Sequence, residues 1–277
     1  MKAQKTKMLP QQDKPLSEFR TKKFWSSIIA EYLGTGFLVY VATSVCDVSD
    51  SNQPRNNKAS SNLECSLAYG LGVATLVHWT EGLLNPALTV AFTSTGKLSL
   101  TKGVLVIIVE ILGGISGSAL TYALTPSPLR HSLGDTVLHE DMSTIQGLFV
   151  EFILTLILTL TVYAARDPGR KCEGYHASLA YGFAVVMCYI VGYKYTSCGI
   201  NPARSFGPAV VREMSGLGKP KSEWQHHWIY WIGPIGGSLL GGLIYHFLYS
   251  QPSFEYDTYK ATYTRTDYRE RESETNL

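Results

Sequence analysis

Apolar residues are concentrated in six long runs of this chain, and polar residues collect at the two ends and in the connecting stretches. A helix of about 20 apolar residues can cross the hydrocarbon core of a bilayer. The pattern therefore predicts an all-α membrane protein with six transmembrane helices. The predicted spans are residues 25–46, 65–82, 103–124, 147–165, 177–194 and 227–249.

Two shorter apolar segments, at 86–95 and 202–212, cannot cross the membrane, and each begins at the Asn-Pro of an Asn-Pro-Ala motif. Proline breaks a helix interior but suits its first turn. We therefore predict two half-length helices that enter the membrane and stop. Irregular backbone at that depth is tolerated only where it lines a wet cavity, so the motifs are predicted to form a pore wall. They consist of Asn85, Pro86 and Ala87, and of Asn201, Pro202 and Ala203.

The chain also repeats itself. The sequence SLAYG occurs at 66–70 and 178–182, and Glu31 and the first Asn-Pro-Ala motif have counterparts, in the same order, in Glu151 and the second motif. Three spans per repeat, about 25–124 and 147–249, make the second repeat inverted relative to the first. Inverted repeats with broken helices place a binding or conduction path near the bilayer midplane.

Inversion would bring the N-termini of the two half-helices together at that midplane. Each end carries about half a positive elementary charge, so the centre repels cations, including hydronium. The backbone carbonyls of 81–84 and 197–200 can accept hydrogen bonds along the path, and the Asn85 and Asn201 amides can donate to a passing water. The arrangement predicts passage of small neutral molecules and exclusion of charge.

Charge is sparse and unevenly placed: 45% of residues are hydrophobic and 17% charged, and polar tails occupy 1–24 and 251–277. With both tails cytoplasmic, 16 of the 24 Lys and Arg residues lie inside, as the positive-inside rule favours, and no cleavable signal peptide is apparent. A net charge of +2 gives no reason to expect nucleic acid as a partner. Cysteine spacing suggests no metal site, no cofactor is indicated, and no nucleophile–base set points to an enzyme.

Several smaller features of the sequence each allow two interpretations. Cys46 and Cys65 flank one predicted outer loop and are either a disulfide or, as we favour, two separate thiols. The histidines near the outer loops are read as solvated rather than as a metal site or pH gate. The last three residues, 275–277, suit a PDZ groove, although a solvated tail is the default. Those histidines are His131, His139, His226 and His227.

Across residues 25–250 the sequence resembles the aquaporin (major intrinsic protein) family, on the strength of NPALT, GINPARSFGPAVV, the repeat and YWIGPIGGSLLGG. The resemblance implies a homotetramer in the cell membrane, with one pore in each subunit. It also implies that Glu31 and Glu151 support the re-entrant loops. By resemblance, the selectivity filter consists of Tyr69, Tyr189, Cys198 and Arg204.

Within the family, Ser205, Ala209 and the pair Tyr230-Trp231 resemble the water-selective branch, whereas Tyr189 stands where a histidine is usual. Water is therefore the primary expectation. An aquaglyceroporin-like channel that also passes glycerol, urea or ammonia is the alternative, if the Tyr189 ring turns away from the pore. A structural or adhesive membrane protein with a closed pore is the alternative from another class.

The first re-entrant loop departs from the repeat. From the glycine of SLAYG to the asparagine of the motif there are 15 residues in the first repeat and 19 in the second. The difference equals about one helical turn. Two identities also differ from the family pattern, with Leu83 in place of a second histidine after His78, and Glu110 in place of a glutamine. The sequence therefore predicts an altered inner vestibule.

Overall fold

The computed structural model describes residues 18–51, 58–130, 132–170, 174–217 and 224–250. Most of the two predicted tails, including the PDZ signal, and His131 lie outside the described residues. Within them the chain is helical, which confirms the predicted fold class. The helices are α1 (Lys22–Ser51), α2 (Lys58–Thr80), α3 (Pro86–Ser94), α4 (Leu100–Leu124), α5 (Thr144–Ala165), α6 (Gly174–Thr196), α7 (Pro202–Ser215) and α8 (Ile229–Ile244, extended to Tyr249 by a π-helical turn).

Five of the six predicted spans are long and apolar enough to cross a membrane, namely those on α1, α4, α5, α6 and α8. The remaining span lies on α2, which has 23 residues but is less apolar than these five. The half-helices α3 and α7 have 9 and 14 residues. We call the side on which α1 begins and α8 ends the near face, and the opposite side the far face.

The repeat is visible in the packing. Helix α1 packs on α4 in the first repeat as α5 packs on α8 in the second, and α2 packs on α6 between the repeats. At that last contact a Cβ on Gly70 would lie 2.7 Å from the Gly182 carbonyl oxygen, and a Cβ on Gly182 would lie 2.6 Å from the Gly70 oxygen. The repeated SLAYG glycine is therefore required because the two backbones touch.

Large apolar side chains also cover the outside of the bundle. Many recur every four residues, which places them on one helix face. In a water-soluble protein such continuous apolar surface would be unfavourable, whereas lipid tails accept it. The outward series include Ile29, Leu33 and Phe37 on α1, Val104, Ile108 and Leu112 on α4, Phe149, Ile153 and Ile157 on α5, and Leu179, Phe183 and Met187 on α6.

The missing turn of the first repeat lies in a helix rather than in a loop. Residues 81–85 and 197–201 are non-helical segments of equal length, and each leads into a half-helix. From the repeated glycine to the helix end, however, α2 runs only from Gly70 to Thr80, while α6 runs from Gly182 to Thr196. The expectation of a shortened loop is therefore wrong. Helix α2 itself ends about 6 Å early at the near face.

Candidate functional site

Each half-helix is started by the asparagine of its motif. The Asn85 Oδ1 accepts from the Ala87 N–H at 3.0 Å, and the Asn201 Oδ1 accepts from the Ala203 and Arg204 N–H groups at 3.0 and 3.3 Å. Both asparagines have the extended backbone of an N-cap. Because the oxygen caps the helix, the amide nitrogen of each side chain is turned away from it.

The two half-helix starts are joined by reciprocal hydrogen bonds. The Asn85 Nδ2 donates to the Ile200 carbonyl at 2.9 Å, and the Asn201 Nδ2 donates to the Leu84 carbonyl at 2.7 Å. The Asn201 Nδ2 also donates to the Tyr69 hydroxyl at 3.3 Å. Asn201 therefore has a protein acceptor for both of its N–H groups, whereas one N–H of the Asn85 amide has no acceptor among the described residues.

The segments before the half-helices have strained backbone at matching positions. Glu81 and Leu84 in the first repeat, and Ser197 and Ile200 in the second, all have φ between 45° and 55°. The left-handed region costs a non-glycine residue about 1–2 kcal/mol, so the surroundings must hold these residues in place. Neighbouring carbonyls consequently point in directions that a helix would not allow.

Two buried carboxylates provide that support. The Glu31 carboxylate accepts from the Leu83 N–H at 2.9 Å and from the Leu84 N–H at 2.9 Å. The Glu151 carboxylate accepts from the Gly199 and Ile200 N–H groups at 2.8 and 2.6 Å. Both side chains thus bind the backbone that leads into a half-helix, at equivalent positions of the two repeats.

Glu110 makes a third contact of this kind, in the first repeat. Its carboxylate accepts from the Asn85 N–H at 2.7 Å and from the Thr89 hydroxyl at 2.9 Å, and the side chain is fully buried. The N-terminal end of a helix favours a negative group. The unusual identity of this residue was visible in the sequence, but its contact with the motif was not.

Three of the four predicted filter residues meet on the far-face side of the motifs. The Arg204 Nε donates to the Tyr189 hydroxyl at 2.6 Å, and the Tyr69 and Tyr189 ring centroids lie 4.6 Å apart. The Tyr189 ring therefore faces the other filter residues. The terminal nitrogens of Arg204 are buried and have no hydrogen-bond partner among the described residues, so their N–H groups are available to a permeating molecule.

The fourth predicted filter residue, Cys198, is fully buried, and its thiol donates to the Cys188 carbonyl at 3.4 Å. Cys46 and Cys65 are both buried free thiols, and the Cys65 Sγ donates to the Tyr193 hydroxyl at 3.7 Å. This agrees with the favoured interpretation of two thiols rather than a disulfide.

The far-face connection is tied to the second re-entrant segment. The Val137 N–H donates to the Ser197 hydroxyl at 3.3 Å, and Arg212 on α7 forms a buried salt bridge with Asp135 at 3.0 Å. In the turn before α8, His227 is buried against Trp224 and Phe206, so its reading as a solvated histidine is wrong. Burial lowers the pKa of His227 to about 4.

On the near-face side of the motifs lie two further hydrogen-bond donors that the sequence pattern did not predict. An Arg166 Nη donates to the Gly82 carbonyl, and the Tyr181 hydroxyl donates to the Leu83 carbonyl at 2.8 Å. Both residues line a near-face cavity of about 540 Å³. One signal was present in the sequence, because Tyr181 occupies the same place in the second SLAYG as Tyr69 does in the first.

Comparison with known proteins agrees with this architecture. The family model described as major intrinsic protein matches residues 18–245. Similar curated proteins include Aquaporin-1 of Rattus norvegicus, 37% identical over 87% of this chain and 88% of its own length, and Aquaporin-4 of Mus musculus, 36% identical over 83% and 69%. The X-ray structure of the aquaglyceroporin from Plasmodium falciparum has a TM-score of 0.71 and 20% identity, and covers 81% of this chain and 96% of its own. That structural likeness concerns the fold alone.

Proposed function

We propose, on the premise that this chain is a membrane channel belonging to the major intrinsic protein family, that it conducts water passively along osmotic gradients and excludes protons and other ions. The observation that carries the proposal is the reciprocal pair of hydrogen bonds from Asn85 to Ile200 and from Asn201 to Leu84. These bonds hold two helix N-termini against each other inside the bundle.

Charge exclusion follows from that juxtaposition. Two facing helix ends contribute about one positive elementary charge in total, in a region of low dielectric. The free N–H of Asn85 can donate to a water at this point, so that the water oxygen faces the motif. A water held in this way cannot also donate toward the motif, which interrupts a continuous proton wire. Arg204, buried at the filter, adds a permanent positive charge.

Selectivity for water over glycerol is proposed from the filter. The Tyr69 and Tyr189 rings are in contact, and the Arg204 Nε holds the Tyr189 hydroxyl. A passage beside these groups favours the smallest neutral solute. The terminal N–H groups of Arg204 can replace hydrogen bonds that water loses when it leaves the bulk. Glycerol, urea and ammonia channels of the aquaglyceroporin type are the alternative within the family.

The membrane location, the topology and the oligomeric state are inferred from the same family membership. We infer a multi-pass protein of the cell membrane whose near face is cytoplasmic, with both tails on that side and the channel domain at residues 25–250. A homotetramer with a pore in each subunit is proposed from the family. A PDZ partner for residues 275–277 remains a sequence-based proposal.

A closed-pore structural or adhesive protein is the second candidate, and two observations favour it. The Tyr69 and Tyr189 rings of the proposed filter are in contact. On the near-face side, the Gly82, Leu83 and Leu84 carbonyls already accept hydrogen bonds from side chains and so are not open to water. In that case the protein would form contacts between membranes or subunits and would not conduct water. Water flux through the purified protein would then be absent.

Stopped-flow light scattering on proteoliposomes tests the two candidates. We expect osmotic water permeability well above that of protein-free liposomes of the same composition, with little added glycerol permeability. High glycerol permeability would support the aquaglyceroporin alternative. Water permeability equal to that of protein-free liposomes, at confirmed protein content, would support the closed-pore candidate.

A further inference from the structure

Because α2 ends early, side chains from α5 and α6 reach the first re-entrant segment at the near face. The two side chains are those of Arg166, at the end of α5, and Tyr181, on α6. The second repeat keeps the extra helical turn at the far face. The asymmetry between the two halves is therefore concentrated at the near-face end of the path.

Both side chains are fixed by hydrogen bonds to neighbouring carbonyls. Arg166 donates to the Gly82 carbonyl, and its guanidinium lies 5.8 Å from the Phe92 ring centroid. The Tyr181 hydroxyl donates to the Leu83 carbonyl at 2.8 Å, and the Tyr181 ring is 3% exposed. Since α6 packs against α2, Tyr181 bridges from one wall of the path to the re-entrant segment on the other.

The two re-entrant segments consequently differ in the acceptors that they offer. In the first, the Gly82, Leu83 and Leu84 carbonyls each receive a side-chain donor. In the second, Ile200 receives one from Asn85, while no described side chain donates to the Cys198 or Gly199 carbonyl. Water entering from the far face meets open acceptors, but water entering from the near-face cavity meets Tyr181 and Arg166 first.

We propose that Tyr181 and Arg166 form a second constriction, between the near-face cavity and the Asn-Pro-Ala motifs, that limits permeation and adds a fixed positive charge on that side. The inference rests on the proposed water-channel function. It makes both residues determinants of flux, in series with the Tyr69–Tyr189 filter. Glu81 and His78 line the same cavity and share its electrostatic field.

A purely structural role makes a different prediction. If Tyr181 and Arg166 only hold the shortened first repeat in shape, removing their hydrogen bonds would displace the re-entrant segment and lower flux. If they obstruct the path, removing the bonds would raise flux. The sign of the change in water permeability therefore separates the two roles.

The experiment compares Tyr181→Phe, Tyr181→Val and Arg166→Gln with wild type by stopped-flow water permeability per channel in proteoliposomes. Tyr163→Phe is the matched control, because it removes a hydroxyl that contacts Thr95 at 2.8 Å on the same face, away from the re-entrant carbonyls. Loss of one hydrogen bond corresponds to about a fivefold change in an equilibrium. We expect a rise of up to about that size for Tyr181→Phe, a larger rise for Tyr181→Val, a smaller one for Arg166→Gln and no change for the control.

The outcomes separate this inference from the proposed function. Unchanged or lower flux in Tyr181→Phe and Tyr181→Val, with a conducting wild type, would overturn the second constriction and leave the water channel intact. Flux that appears only in the Tyr181 variants would support the constriction. No flux in wild type, in Tyr181→Val or in Tyr181→Val combined with Tyr189→Gly would overturn both proposals.

Discussion

Asn85 and Asn201 are equivalent in the repeat but not in their hydrogen bonding. Both cap a half-helix, and each donates to a carbonyl of the opposite segment. Of the two, only Asn201 also donates to the Tyr69 hydroxyl. A phenylalanine at position 69 has no hydroxyl and could not accept this hydrogen bond. Tyr69 thus links the predicted filter to the motif, and within the described part of the chain Asn85 is the asparagine with an N–H left to donate.

This difference predicts unequal effects of the two substitutions. Asn85→Leu and Asn201→Leu both remove an N-cap, at a cost of about 1 kcal/mol in stability. We expect Asn85→Leu to lower water permeability per channel more strongly, because it also removes the free donor. Stopped-flow measurement at matched protein content decides this. Equal losses, or a greater loss in Asn201→Leu, would contradict the assignment.

Tyr189 is expected to set the size limit at the filter. Its ring contacts Tyr69 and its hydroxyl accepts from Arg204, so Tyr189→Gly opens space and frees an Arg204 donor. We predict a clear rise in glycerol permeability relative to water. Tyr195→Gly, which makes the same change near the end of the same helix, should leave glycerol permeability unchanged. High glycerol flux in wild type that Tyr189→Gly does not alter would show that the ring does not limit the path.

At the scale of elements, much of the fold could be predicted because its causes are local. Asn-Pro marks a helix start in both repeats, and apolar length marks the spans. The end of α2 could not be placed, because a missing turn can come from a helix or from a loop. Contacts such as Tyr181 with Leu83, 98 residues apart, depend on how α2 and α6 pack. Only the repeated SLAYG hinted that Tyr181 has a place like that of Tyr69.

The far-face turn before α8 is expected to make stability depend on pH. His227 has a pKa of about 4 when folded, below the ordinary value of about 6.5, so the folded state favours the neutral ring. The contribution of the neutral His227 ring to the free energy of unfolding is therefore complete above pH ~6.5, and it is lost as the pH falls toward ~4. The loss can reach about 3 kcal/mol, since one pKa unit corresponds to about 1.4 kcal/mol.

Thermal unfolding in detergent at pH 7.5 and 5.0 checks this expectation. The wild-type midpoint should fall on acidification by more than that of His227→Asn. His226→Asn is the control, because the neighbouring ring is only partly buried and contacts Thr144. An identical shift in wild type and His227→Asn would show that this histidine does not carry the effect.

For the whole molecule, the decisive property is the arrangement of charge along the path. Arg204 lies in the proposed filter, the two half-helix N-termini meet at the motifs, and Arg166 lines the near-face cavity. All of these are positive. The buried carboxylates Glu31 and Glu151 bind the backbone of the re-entrant segments. On the proposed function, a neutral solute is expected to experience little of this field, whereas a cation is expected to be repelled at the proposed filter and at the motifs.

Whether the channel separates water from charge is decided by measuring both permeabilities on the same proteoliposomes. Osmotic water permeability is followed by light scattering, and proton permeability by a trapped pH-sensitive dye under an imposed pH gradient. We expect water permeability well above that of protein-free liposomes, with proton permeability equal to theirs. Proton permeability that rises together with water permeability would contradict this expectation.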